Sequence, residues 1–445
     1  MEKLIFGYEK FKGDGDPIDN CIEYDFNGWK ICDCGNVFLG MLQRVKHDYL
    51  IKSKREWENL LVNTKQVDDI DEPYFYVVNV REFAGALGVE RETDKVYDQS
   101  VFKHISQGVI NDCIDNKCKI VLNYGYEGFG KKTNMGDTIL YKPLLDRLHT
   151  LLDEYKIPQS NFIYLDANLV LDDIDLPTDI HYFSYEYTGL DWERFTIMHP
   201  KMNYHGNTYS KRNMKRWVDT KDIIREKYFL SFNRLPKFHR VKLVLNLEKY
   251  GFLEKGFVSF PEDGQFWNWG ISETDFHNKL YPFMESLRKK LPLKIDDVQL
   301  KDKKWSYELF DNNFYLKSYF QIVAENQFTD FEDQLQFTEK VWKPITNFQP
   351  FILLGDRHQL KKLREWGFKT FHPFIDESYD DVIDTEKRFD MVKNEIIKLC
   401  NKPIEEIHQW YWSIEQDLRH NYYHFYGKWI NQQRNKLYNN LKQIK

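Results

Sequence analysis

Short apolar runs alternate along this chain with stretches whose apolar positions recur at helical spacing. Residues 74–80 (Tyr-Phe-Tyr-Val-Val-Asn-Val), 119–124, 161–165 and 181–185 are compact runs rich in β-branched and aromatic residues, and each predicts a strand. Within this series, residues 140–155 place Leu144, Leu145, Leu148, Leu151 and Leu152 on one side of a helix. Strand, loop, helix, strand is the order of βαβ units, so the first half predicts a parallel sheet. Over 192–221 the pattern breaks into polar, basic and aromatic residues, which read as a long loop or interdomain segment.

Alternation then returns. Strands are expected at 227–232, 256–260, 319–324 and 351–354, with helices at 240–250, 275–290, 339–346 and 359–366, and residues 368–371 closing the second unit. Residues 388–400 and 404–420 read as helices, and 428–445 as a basic amphipathic helix without an acid. The fold class expected is α/β, as two facing Rossmann-like domains over 1–225 and 226–405. Terminal helices over 406–445 would pack back toward the first domain.

Length agrees with that division, since 445 residues exceed one typical core and suit two domains of about 200 each. A net charge of −6 excludes a molecule-wide basic field for nucleic acid and leaves only local patches. The six cysteines are scattered; Cys32 and Cys34 lack a matched second pair, so no closed zinc site is expected. Asp14 and Asp16 form an Asp-x-Asp too near the start to follow a nucleotide-binding strand, and His420 and His424 lack a nearby acid for metal. No window reaches the ~20 apolar residues that span a bilayer, and the expected location is cytosolic.

The chemistry gathers at two expected strand ends of the second domain, where ligands of parallel α/β sheets sit. After 227–232 come Asn233 and Arg234, then His239 and Arg240 in the first turn of the next helix. After 319–324 come Glu325 and Asn326, and then Thr338, Glu339, Lys340 and Lys343 at a helix start. Thr338 suits an N-cap, carboxylates can accept from ribose hydroxyls, and cations with free helix N–H groups suit a diphosphate. Each residue alone also fits a solvated surface; the order of the whole stretch favours a ligand.

These segments resemble a known family. Phe337-Thr338-Glu339-Lys340-Val341-Trp342-Lys343-Pro344-Ile345, the run 349–355 and Leu363 to Phe371 look like the donor-binding half of GT-B glycosyltransferases. The similar set is the fucosyltransferase-like enzymes of phage and bacterial genomes. Leu230-Ser231-Phe232-Asn233-Arg234 with His239 and Arg240 is similar to the arginine-bearing motif of that half. The resemblance implies a metal-independent glycosyltransferase with no cofactor, whose co-substrate is a UDP- or GDP-linked sugar bound by Arg234, Arg240, Glu339 and Lys343. Glu332 and Glu339 are seven apart where some GT-B families pair glutamates eight apart, so the nucleobase and sugar are not carried over.

On the acceptor side, the glycine-rich loop around Gly125, Gly128 and Gly130 offers Glu127 as the candidate base. Lys211, Arg212 and Arg216, interleaved with Tyr204, Tyr209 and Trp217, are candidate acceptor contacts. Through them the acceptor is either a glycan or modified phage DNA, with 5-hydroxymethylcytosine flipped out for transfer. A non-catalytic nucleotide-sugar or glycan-binding protein is the alternative from another class.

Overall fold

A computed structural model of the chain describes residues 3–8, 21–24, 30–32, 44–45, 57–58, 62–80, 83–90, 93–124, 138–198, 211–261, 281–295 and 313–445. It divides into two compact units, Met1–Asp191 with Ile430–Lys445, and Trp192–Trp429. Residues 192–225, expected with the first domain, therefore lie with the second unit. Of the expected terminal segment only Ile430–Lys445 joins the first.

Six parallel strands form the main sheet of the first unit: β1 (Leu4–Tyr8), β2 (Val62–Gln66), β3 (Tyr74–Val80), β4 (Cys118–Tyr124), β5 (Phe162–Asp166) and β6 (His181–Ser184). Their order is β6-β5-β4-β3-β1-β2, with a short antiparallel pair, Cys21–Tyr24 and Lys30–Cys32, added beside the end of β3. Neither β1 nor β2 stands out in the sequence: β2 is polar after Val62, and Gly7 cuts the apolar run of β1 after three residues. β1 is nevertheless buried at Leu4, Ile5 and Phe6. At Gly7 a Cβ would lie 2.7 Å from the Tyr74 ring, so the strand can approach β3 only without a side chain there.

Alternation along the strands divides the sheet's two faces. Tyr74, Tyr76, Val78 and Val80 join Ile120, Leu122 and Tyr124 in one core, against the helices Gln107–Ile114 and Lys142–Glu154. The five leucines expected on one side of the second helix are all buried. Each contributes roughly 1.5–3 kcal/mol relative to exposure.

The second unit repeats the plan with four parallel strands, β7 (Lys227–Phe232), β8 (Gly256–Ser259), β9 (Ser318–Ala324) and β10 (Phe351–Leu354). Their order is β8-β7-β9-β10. Helices α1 (Phe238–Lys249), α2 (Glu339–Thr346), α3 (Gln359–Glu365) and α4 (Thr385–Cys400) surround it. Residues 368–371 bury Phe368 and Phe371 without forming a strand.

The expected loop over 192–221 is corrected by the structure. Helices Tyr187–Met198 and Lys211–Val218 occupy most of its described residues. The signal was masked because few positions there are apolar, yet those few are anchors. Trp192, Thr196 and Trp217 are buried, and Trp217 stacks on Phe348 at 4.3 Å and donates its indole N–H to Tyr411 at 2.5 Å. The single helix expected at 404–420 is two, Ile404–Ser413 and Glu415–His424. The last helix, Ile430–Ile444, follows a turn of π-helix over Phe425–Trp429.

Candidate functional site

In the second unit the strand order reverses between β7 and β9, the position at which parallel α/β sheets bind ligands at the carboxyl ends of their strands. Asn233 and Arg234 follow β7, and Glu325 and Asn326 follow β9, so the two segments predicted from sequence flank that point. α1 and α2 both begin at the same edge, because each is the crossover leaving one of these strands.

Much of the predicted set is bound to itself. Glu325 is buried, and its carboxylate accepts from the Thr338 N–H at 3.2 Å, the Thr338 hydroxyl at 2.5 Å and the Asn326 N–H at 3.1 Å. Thr338 in turn caps α2 by accepting from the Lys340 N–H at 3.3 Å. Its hydroxyl hydrogen serves Glu325 while its lone pair serves the helix. Burial pushes the Glu325 carboxyl up, against the pull of Lys340 and the Thr338 hydroxyl.

His239 and Arg240 turn inward. The His239 Nε2 lies 2.9 Å from the Glu325 carbonyl oxygen, and Arg240 donates to that oxygen at 2.8 Å and to the Leu235 carbonyl at 3.3 Å. Burial, helped by the Arg240 charge, holds His239 well below the usual imidazole range, so it is neutral. These two side chains fasten the first turn of α1 to the end of β9. Lys237, not singled out in the sequence, adds a third tie by donating to the Asn326 carbonyl at 2.8 Å.

Glu339 opens α2 with Lys340 at 3.2 Å and Lys343 at 3.7 Å. Burial alone would raise its carboxyl, but the two ammonium groups more than offset it and hold it at about 2. Lys343 also lies 5.6 Å from the Trp192 ring centre, within cation–π range. Arg234 differs from the rest: it is exposed, with no partner among the described residues. Asn233 is buried, donating its N–H to Ser259 at 3.1 Å and its amide to the Ser231 hydroxyl at 2.9 Å, while its Oδ1 has no partner.

Sequence reasoning missed a third strand end. Asp356 follows Gly355 after β10, and its Oδ1 accepts from the Thr329 N–H at 2.9 Å and hydroxyl at 3.0 Å. Its Oδ2 is buried without a partner. Burial pushes this carboxyl up to about 6, against Thr329 and the Arg388 charge, with Glu325 adding to the rise. The available signal was an acid placed directly after an apolar strand and a glycine. Gly355 is required by close packing, since a Cβ would meet Gln359 Oε1 at 2.0 Å and Glu325 Cβ at 3.2 Å.

Glu127 lies outside the described residues, as do Asp14, Asp16 and Cys34. Lys211 and Arg212 open the helix Lys211–Val218, and Arg216, in its last turn, donates to Asn313 of the same unit. His420 and His424 bond the Gly367 and Trp366 carbonyls at 2.9 and 2.7 Å, just beyond α3. No group of three His, Cys, Asp or Glu among the described residues could hold a metal ion, and no described helix is long and apolar enough to cross a membrane.

Taken together, the edge gathers five cationic side chains, Arg234, Lys237, Arg240, Lys340 and Lys343, against three carboxylates, Glu325, Glu339 and Asp356. Two of those three, Glu325 and Asp356, are raised toward the neutral form. Comparison of the chain with protein-family models, curated proteins and solved structures gave no match.

Proposed function

We propose that the second unit binds the diphosphate of a UDP- or GDP-linked sugar at this edge, and that the protein is a glycosyltransferase of the two-domain GT-B type. The observation that carries the reading is the surplus of cations at the switch point of the sheet, where two helices begin and one arginine stays exposed. In this reading Arg234 and Lys340 take the phosphate oxygens, while the dipole of α2 favours the anion at its start. The locked pair His239 and Arg240 keeps the two strand ends in register.

Transfer to a hydroxyl breaks the bond between sugar and diphosphate, so the departing oxygen gains negative charge. Fixed cations and helix dipoles stabilise that charge more than the ground state, which is how the site would accelerate the step. Glu127 remains the proposed base, and Lys211 and Arg212 the proposed acceptor contacts.

The test is thermal-shift and calorimetric titration with UDP, GDP and pyrophosphate, followed by a transfer or hydrolysis assay with labelled nucleotide sugars. A diphosphate should raise Tm in proportion to its affinity. Arg234→Ala should weaken binding about tenfold or more at unchanged Tm, the loss expected for one charge-assisted phosphate contact. A wild-type protein indifferent to all three compounds would end this reading.

A further inference from the structure

Residues 327–337 join the end of β9 to the Thr338 cap of α2 and form neither helix nor strand. Without a backbone ladder of its own, such a segment is held by whatever side chains reach it. Its first fixed point is Thr329. Asp356, from the end of β10, accepts the Thr329 N–H and hydroxyl at one oxygen, Oδ1, and Arg388 of α4 donates to the Thr329 carbonyl. The second fixed point is Gln336, whose carbonyl accepts from Gln359 of α3. Beside Thr329, the Phe328 ring lies 5.6 Å from that of His239 and 6.4 Å from that of Phe389, with the Arg388 guanidinium 4.7 Å from its centre.

The tie at Thr329 is asymmetric. Asp356 is 3% exposed, and its Oδ2 receives no hydrogen bond. Arg388 is the cation that acts on it, yet the Arg388 hydrogen bonds all go to carbonyls, those of Val382, Ile383 and Thr329. Glu325 opposes ionisation of Asp356, while Asp330, Asp380 and Arg357 are the other charges acting on Arg388. A charge on Oδ2 is thus buried without a donor, which disfavours the anion. Burial accordingly pushes the Asp356 carboxyl up to about 6. Asp333, within the segment itself, is also raised by burial.

We infer that residues 327–335 are a pH-responsive strap latched by Asp356, which holds Thr329 as a neutral acid and releases it on losing its proton to solvent. In the neutral form the proton rides on Oδ2, and Oδ1 keeps both Thr329 bonds. In the released form water reaches Oδ2, and the acid returns to its ordinary strength. Raising the pH therefore ionises the released form first. The latched form is fully favoured below about pH 4, loses ground between about 4 and 6, and holds a new constant level above that. Asp333 adds in the same direction. Release parts Phe328 from His239, the side chain that ties α1 to the Glu325 carbonyl. The strap thereby sets how firmly this edge of the sheet is held, whatever the edge binds.

Hydrogen-exchange mass spectrometry on the full chain between pH 4 and 7.5, corrected for the intrinsic pH dependence of amide exchange, reads the strap directly. Protection over 327–335 should fall at least tenfold from pH 4 to 6.5 and level off above. The ceiling is roughly 100-fold, from the difference between 3.8 and about 6. Strap amides should exchange faster than those of β9 throughout, the mark of a local opening. Asp356→Asn imitates the neutral acid and should lose most of the pH response. His358→Asn removes a neighbouring imidazole, 3.3 Å from Asp381, and should keep the wild-type profile. Should Asp356→Asn fail to fold, the wild-type and His358→Asn profiles decide. Protection that ignores pH or rises with it, a strap as slow as β9, or loss of the response in His358→Asn would each overturn the inference. So would an Asp356→Asn profile that follows the wild type.

Discussion

Arg234 and Arg240 stand six positions apart and do opposite work. One is exposed at the edge of the sheet; the other is 2% exposed and spends its donors on two backbone carbonyls. Arg240→Leu is therefore expected to lower stability by about 1.5–3 kcal/mol, the scale of a buried charged hydrogen bond, read by urea unfolding. Asp356 supplies a pH signature. Burial pushes its carboxyl up to about 6 in the folded chain, above the ordinary 3.8. The folded state thus holds this proton more tightly than the unfolded one. The associated stability is complete below about pH 4 and lost as pH rises through about 6, worth roughly 3 kcal/mol by linkage. Asp356→Asn keeps an acceptor for Thr329 and should flatten the stability profile between those values. Glu339 has the opposite sign: held at about 2, it contributes stability above its ordinary range that is lost as pH falls toward 2.

Among elements, β9, β10 and α3 meet closely around Gly355. Gln359 of α3 donates to the Gln336 carbonyl at 2.7 Å, tying down the segment that leads into α2. A methyl at Gly355 would displace that side chain. Gly355→Ala should cost about 1–3 kcal/mol as an overpacked site, measured by thermal unfolding. It should also weaken diphosphate binding, because the start of α2 would lose an anchor. The second unit's elements were legible because their periods are clean. β7, β10 and α2 fall where the apolar runs and the Thr338 cap put them. The helix Lys211–Val218 was illegible for the converse reason: one buried tryptophan and one asparagine anchor a surface otherwise basic or part-exposed.

For the whole molecule, the two units divide unequally along the chain. The second is continuous, whereas the first recruits Ile430–Lys445 from the far end. That helix buries Ile430, Leu437, Tyr438 and Leu441, and Lys436 reaches Asp172. A chain ending at residue 429 should keep the transition of the second unit and lose several kcal/mol from the first, given roughly 1.5–3 kcal/mol per buried large apolar side chain. Calorimetry on the full and shortened chains would separate the two transitions. A single transition unaffected by the truncation would contradict this division.

By itself the sequence determined which segments become strands and helices over most of the chain, and which strand ends carry polar chemistry, because period and capping are local properties. It could not determine that β1 and β2 complete the first sheet, since β2 is polar after Val62 and Gly7 interrupts β1. Nor could it determine whether a charged side chain faces ligand or backbone. Arg240, His239 and Glu325 look alike as candidates on paper. Only the juxtaposition of β7 with β9, set by long-range pairing, turns His239 and Arg240 onto the Glu325 carbonyl and leaves Arg234 exposed.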